Sequence, residues 1–290
     1  MDSERPPPSS RDATLASARG NLRETLGALR NLAQLLHSLR VAPKSLTSLL
    51  PDVLEGCRPM RASAQAWLTA LGDDPRIATA KRELAEFFPP RIDELEEALR
   101  EASLRPMNAK TRLTLEDAVA KSSFELDAGR ELLELLEHAV FARPVRLDPR
   151  ELVREAFTSP PSARAEGRAL VSATLSSHDA GGEIEISPRV AMVLVAFGVE
   201  MVGAGPGRET PHVLIASDRQ SMCSVRVTRQ AHATGEPLVL ASRGVIEPTL
   251  ASLKAAAAMT GGRIEWEPNR EEFELTYSLA EAALARETAS

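Results

Sequence analysis

Aromatic residues are scarce in this chain: Phe, Trp and Tyr together make up 3% of its 290 residues. A core must therefore be built from Leu, Val and Ala, side chains that suit helix packing. Cysteine is nearly absent. Cys57 and Cys223 lie far apart with no Cys-x-x-Cys, which excludes a disulfide framework and a zinc ribbon. Two isolated thiols fit a reducing compartment, and the expected location is the cytoplasm. Five Lys stand against thirty Arg, with no basic run interleaved with aromatics and a net charge of −6. That balance argues against a nucleic-acid binder. Long apolar runs are also missing. Val190 to Val199 is too short for a bilayer, which needs about 20 residues, so no membrane segment is expected. The start, MDSERPPPSS, shows no leader pattern.

What is present is helical periodicity. Residues 1–12 read as a polar, proline-rich tail, and a helix is expected from about Ala13 to Arg40. Leu15, Leu22, Leu29 and Leu36 fall seven apart, with Leu26 and Ala33 filling the second line of a heptad seam. Pro43, Pro51 and Pro59 predict short pieces next, with Pro59 opening a helix to about Leu71. Gly72-Asp73-Asp74-Pro75 is a break with Asp74 as N-cap. A third helix follows toward Ser103, kinked or split at Pro89-Pro90. The fourth, about Ala109 to Ala142, carries the strongest heptad: Leu115, Val119, Ser122, Leu126, Gly129, Leu133, Leu136 and Val140. Glu131, Glu134 and Glu137 lie outside that seam and read as a solvated face. The N-terminal half is expected to be an antiparallel bundle or coiled-coil hairpin, self-contained or dimerising, with a homodimer the simplest arrangement.

The second half changes character. Val145–Leu147 is extended, and Asp148-Pro149 with Glu151 caps a short helix. Strand patterns occupy Ala169–Leu175 and Glu183–Ile186. The 189–202 helix is apolar on nearly every face and must be buried. Alternating strands follow at Val213–Ala216 and Cys223–Thr228. The glycine cluster Gly203 to Arg208, ahead of these strands, reads as a helix stop and loop. The last stretch is helix, Gly261-Gly262, and a hairpin. Leu250, Leu253, Ala257 and Met259 supply the helix. Ile264 and Trp266, then Phe273, Leu275, Tyr277 and Leu279, alternate on its two strands.

That closing string resembles the end of the ATP-binding domain of sensor histidine kinases. The order strand-helix-strand-strand-helix-strand-strand-loop-helix-strand-strand agrees with the same family across residues 147–280. The long heptad helix before it resembles the dimerisation bundle. The fold class expected is thus α+β: an N-terminal all-α bundle or coiled coil, then a histidine-kinase-type ATPase-like α/β sandwich. The domains expected are a bundle at 13–143, a degenerate ATPase-like domain at 144–283 and a tail at 284–290.

The resemblance also implies a chemistry. Active members carry roughly Asn-Leu-x-x-Asn-Ala on a buried helix, where Asn helps hold magnesium on the nucleotide phosphates. Here Ala196 and Glu200 occupy the two Asn positions. Glu200 is a carboxylate able in principle to ligate a hard cation. The family's Asp-x-Gly-x-Gly after the central strand is replaced by Thr228-Arg229-Gln230-Ala231-His232. Its Gly-x-Gly-Leu before the last helix is replaced by Glu247-Pro248-Thr249-Leu250, with an acidic side chain where phosphate would sit. No ATP or magnesium cofactor is therefore expected.

The family's phospho-accepting histidine sits in His-Glu-Leu-Arg-Thr-Pro. The similar string here is His37-Ser38-Leu39-Arg40-Val41-Ala42-Pro43, with Ser in place of the acid and Pro one residue later. It implies His37 as the phospho-acceptor and Arg40 as a phosphate contact. His138 sits at the far end of the fourth helix, and His178, His212 and His232 lie near loops or strand ends without metal-ligand spacing. The expected function is a histidine-kinase-like protein of two-component signalling, inactive as a kinase. It would bind a response regulator or another histidine kinase as scaffold, decoy or phosphotransferase. The alternatives are a divergent but active ATP-dependent kinase and a purely structural coiled-coil interaction protein.

Overall fold

Four long helices are followed by a six-stranded sheet in the computed structural model of the chain, which describes residues 10–38, 42–157, 170–178, 182–203, 210–217, 222–229, 235–241 and 244–279. The chain divides into two compact units, with the boundary in the fourth helix after Leu133. The Pro75–Ile77 turn belongs with the second.

The first unit is built from α1 (Ser10–His37), α2 (Pro43–Ala70), α3 (Ala78–Leu104) and α4 (Ala109–Phe141) up to Leu133. Helix α1 begins at Ser10, inside the stretch expected as tail; residues 1–9 lie outside the described residues. Its buried row is Leu15, Ala18, Leu22, Thr25, Leu29, Leu32 and Leu36, steps of three and four, with Leu26 beside it. Leu32 and not Ala33 continues the row, because the step of three from Leu29 and of four to Leu36 falls on it; Ala33 is half-buried.

Each helix meets the next antiparallel. Thr25 Oγ1 donates to the Gly56 carbonyl at 2.8 Å and Asn21 Nδ2 to Ser63 Oγ at 3.2 Å, joining α1 to α2. Arg61 pairs with Asp93, joining α2 to α3. Arg91 pairs with Glu125 at 3.3 Å, joining α3 to α4. Arg30 pairs with Asp127 at 2.6 Å, closing α4 onto α1. This is an up-down-up-down four-helix bundle made by one chain. The α4 heptad positions up to Leu133 and the α1 seam are buried inside it.

Two expectations are corrected here. Pro51 and Pro59 do not divide α2, and Pro89-Pro90 do not divide α3; both helices run through. An interior proline costs about 3 kcal/mol. Against that, Leu46, Leu50, Cys57, Met60, Trp67 and Leu68 are all buried along α2, each large apolar side chain contributing roughly 1.5–3 kcal/mol. Pro51 and Pro59 lie on the exposed side, so the row is uninterrupted. The second correction concerns the acidic residues of α4. Glu131 and Glu137 are buried, not solvated, because α4 is covered on more than its heptad face. Glu131 lies 3.6 Å from Arg130, whose guanidinium also holds Asp127 at 2.8 Å.

In the second unit, β1 (Val145–Leu147) pairs antiparallel with β3 (Ile184–Ile186). Between them come α5 (Pro149–Phe157) and β2 (Leu170–His178). Asp148 caps α5 by accepting from the Arg150 amide at 2.8 Å, as its place before Pro149 predicts. Then follow α6 (Pro188–Gly203), β4 (Pro211–Ser217), β5 (Met222–Arg229) and β6 (Glu236–Ala241). The chain closes with α7 (Thr249–Met259), β7 (Gly262–Glu267) and β8 (Glu272–Ser278). The sheet order is β6-β2-β4-β5-β8-β7, with only β2 and β4 parallel. Strand β6, on the edge against β2, occupies a segment expected as loop.

Alternate residues of the sheet form the core face: Val213 and Ile215, Val225 and Val227, Phe273 and Leu275. Helix α6 packs against them with ten buried residues, among them Leu194, Phe197 and Val199. The approach is tight at Gly198, where a Cβ would stand 2.5 Å from the Phe273 ring. Gly261 ends α7 with φ +78, the left-handed backbone the glycine pair predicts. The architecture is α+β, a helical bundle followed by a sheet-and-helix layer.

Candidate functional site

His37 is the last residue of α1. Leu36 beside it is fully buried, so the next position necessarily turns out of the core, and the imidazole is 85% exposed. Its Nδ1 lies 2.8 Å from Glu116 Oε1 of α4. Arg112, one turn earlier on α4, donates from Nε to the Leu36 carbonyl at 2.5 Å and from Nη2 to that of Ser38. A guanidinium on the unpaired carbonyls of a helix end satisfies them and opposes the dipole, which fixes where α1 stops. The structure thus brings His37, Glu116 and Arg112 together. Arg40, expected as a phosphate contact, lies outside the described residues.

Glu200 is placed differently. The resemblance implies a magnesium-binding Asn at its position on a buried helix; the residue lies on α6 and is 4% exposed. Its Oε2 accepts the backbone N–H of Gly244 at 2.8 Å. Two residues on, the Ile246 N–H donates to Thr249 Oγ1 at 3.0 Å, and Thr249 returns its own N–H to the Ile246 carbonyl at 3.0 Å. Segment 244–248 leads into α7, and the resemblance places amides that cradle phosphate at its end, in 247–250. The amides engaged by side chains are those of Gly244 and Ile246, just before the 247–250 positions that the resemblance matches to Gly-x-Gly-Leu. Ala196 offers no ligand, and Glu247 is exposed at the same place. The substitution for Asp-x-Gly-x-Gly lies outside the described residues from Gln230 to His232.

The other two histidines with described side chains are engaged elsewhere. His138 Nε2 is 3.1 Å from an Arg189 Nη1. His212, buried on β4, has Nδ1 2.8 Å from Thr174 Oγ1 and Nε2 2.9 Å from Ser176 Oγ, both on the parallel neighbour β2. Both ring nitrogens are used as a clip between strands. The His178 side chain and His232 lie outside the described residues. Among the described residues, no group of His, Cys, Asp and Glu is arranged to hold a metal ion, and no helix is long and apolar enough to cross a membrane. Both thiols are free and buried. Burial, then the charge of Glu96, pushes Cys57 up to about 12. Burial, then Asp148, pushes Cys223 up to about 11 against a lowering bond from Ser217.

Sequence reasoning does not find Glu116, Arg112 or Thr249. Glu116 is 79 positions from His37, and only the antiparallel return of α4 brings them together. Thr249 does carry a local signal, as a hydroxyl at the start of a helix.

No family model matches the sequence, and no curated protein matches it. Among solved structures, the chain is similar to the histidine kinase AdeS of Acinetobacter baumannii. The identity is 13% and the TM-score 0.41, over 66% of this chain and 95% of that one.

Proposed function

We propose that the chain is a histidine-kinase-like component of two-component signalling that does not use ATP. In this reading it binds a response regulator or another histidine kinase through its bundle, and His37 accepts the phosphoryl group from that partner. The observation that carries it is the segment that leads into α7: Glu247 is exposed, Pro248 has no N–H to offer, and the neighbouring Gly244 and Ile246 amides are engaged by Glu200 and Thr249. A phosphate bound at 247–250 would have to approach the Glu247 carboxylate, with no amide available from Pro248. Strand β6 adds to this, since paired sheet stands where the sequence pattern places a loop. Apart from β6, the order of elements from β1 to β8 is the one the sequence resemblance implies, which supports the kinase-like part of the reading.

The homodimer expected from the heptads loses its motive. Leu15, Leu22, Leu29 and Leu36 of α1, and Leu115, Val119 and Leu126 of α4, are covered inside one chain's bundle. The same observation disfavours a purely structural coiled coil, which needs an open seam. The reading is tested by co-purifying the chain with candidate regulators with and without Mg-ATP. It expects a complex that forms equally well in both conditions. A complex that needs nucleotide would contradict it.

A further inference from the structure

An exposed imidazole on a helix end is ordinarily free to take either neutral tautomer. His37 is not. Its Nδ1 faces Glu116 Oε1 at 2.8 Å while the ring is 85% exposed, and Glu116 is itself 23% exposed. An ionised carboxylate has only acceptor sites, so the proton of this hydrogen bond belongs to Nδ1. In the neutral ring, Nε2 is then left with its lone pair. The bond is held in place from both sides. Arg112 ties the last carbonyls of α1 to α4 one turn from Glu116, and Arg30–Asp127 ties the same two helices further along. The sequence string that resembles a phospho-acceptor motif has Ser38 where an acid is expected. A carboxylate reaches the histidine all the same, from another helix.

We propose that Glu116 is the positioning residue of His37, fixing the Nδ1–H tautomer so that Nε2 is the nucleophile; this rests on the phospho-acceptor reading of His37. In the transfer step, the Nε2 lone pair attacks phosphorus of an acyl phosphate. The Nε2–P bond forms as the P–O bond to the donor carboxyl breaks, and the donor leaves as carboxylate. No proton need be lost: the ring becomes a phosphoimidazolium that keeps its Nδ1–H, and the Glu116 carboxylate balances the new positive charge. The logic is that of a carboxylate orienting a catalytic histidine. Arg112, also charged, stands on the same facing helix. Its bonds to the Leu36 and Ser38 carbonyls assign it to the helix end.

The test uses the full chain and needs no partner. Nitrogen-15 NMR at a pH about two units above the imidazole range reads the tautomer directly, and His37→Gln assigns the signal. The wild type is expected to hold Nδ1–H, and Glu116→Ala to revert to the Nε2–H form that free imidazole side chains favour in water. An unchanged tautomer in Glu116→Ala overturns the proposal. Phosphoramidate, which phosphorylates imidazole with loss of ammonia, gives the second readout. Labelling of His37 should be roughly tenfold slower in Glu116→Ala, the factor a single charge-assisted hydrogen bond commands. An unchanged rate also overturns the proposal. Absence of label on wild-type His37 with the tautomer intact instead overturns the phospho-acceptor reading, and with it the transfer step.

Discussion

Glu200 Oε2 accepts the Gly244 amide at 2.8 Å, joining the C-terminal part of α6 to the segment that leads into α7. A carboxylate standing where the sequence resemblance implies a magnesium-binding Asn is thereby given a structural task. Removing it leaves a buried N–H without this partner, so Glu200→Ala should cost about 1–3 kcal/mol in a urea titration. Mg-ATP at millimolar concentration should not shift the melting temperature of either protein. A shift of several degrees in the wild type that Glu200→Ala removes would mean that Glu200 holds the metal after all.

The bundle makes its own prediction about size. Leu22, Leu29 and Leu133 are fully buried within one chain, so Leu→Ala at each should cost about 2–5 kcal/mol. Light scattering should find a monomer. A dimer that dissociates on Leu133→Ala would show that the heptads serve a second chain.

Proline supplies a test of the continuous helices. Pro51 and Pro59 lie on the exposed side of α2 and interrupt no buried position. Pro59→Ala should therefore stabilise the protein, by at most about 3 kcal/mol. A loss of stability would place Pro59 at a helix start, where the sequence alone puts it.

Much of this architecture is legible in the sequence. The heptads of α1 and α4, the Asp148-Pro149 cap, the apolar α6 and the closing helix and hairpin all carry their periods openly. What is not legible has one cause, tertiary contact overriding a local signal. The prolines of α2 and α3 read as breaks because their cost is local, whereas the burial that offsets it is spread over the whole helix. Strand β6 hides because Leu238-Val239-Leu240 does not alternate and Pro237 suggests a turn. An edge strand nevertheless tolerates that proline. At the candidate site, His37 announces itself by a string of neighbours, but Glu116 does not. Glu131 likewise reads as surface until its helix is seen to be covered on several sides.

The thiols predict a pH effect. Cys57 and Cys223 have folded pKa values raised above the ordinary 9.0, to about 12 and about 11. The unfolded chain therefore releases these protons first. Their contribution to stability is complete below pH 9.0 and is lost as pH rises through about 11 and 12. The melting temperature should fall more steeply above pH 9.0 in the wild type than in a Cys57→Ala, Cys223→Ala double variant. Native protein should also resist thiol reagents at neutral pH. Equal slopes, or rapid labelling of the native state, would contradict the burial.

The central claim, that phosphoryl groups reach this chain from a protein and not from ATP, has a direct measurement. The full chain is incubated separately with γ-labelled ATP and with a response regulator labelled on its receiver aspartate, then tested for acid-labile, base-stable label. The account predicts label from the regulator alone, and none in His37→Gln. Label from ATP, or label from the regulator that persists in His37→Gln, would contradict it.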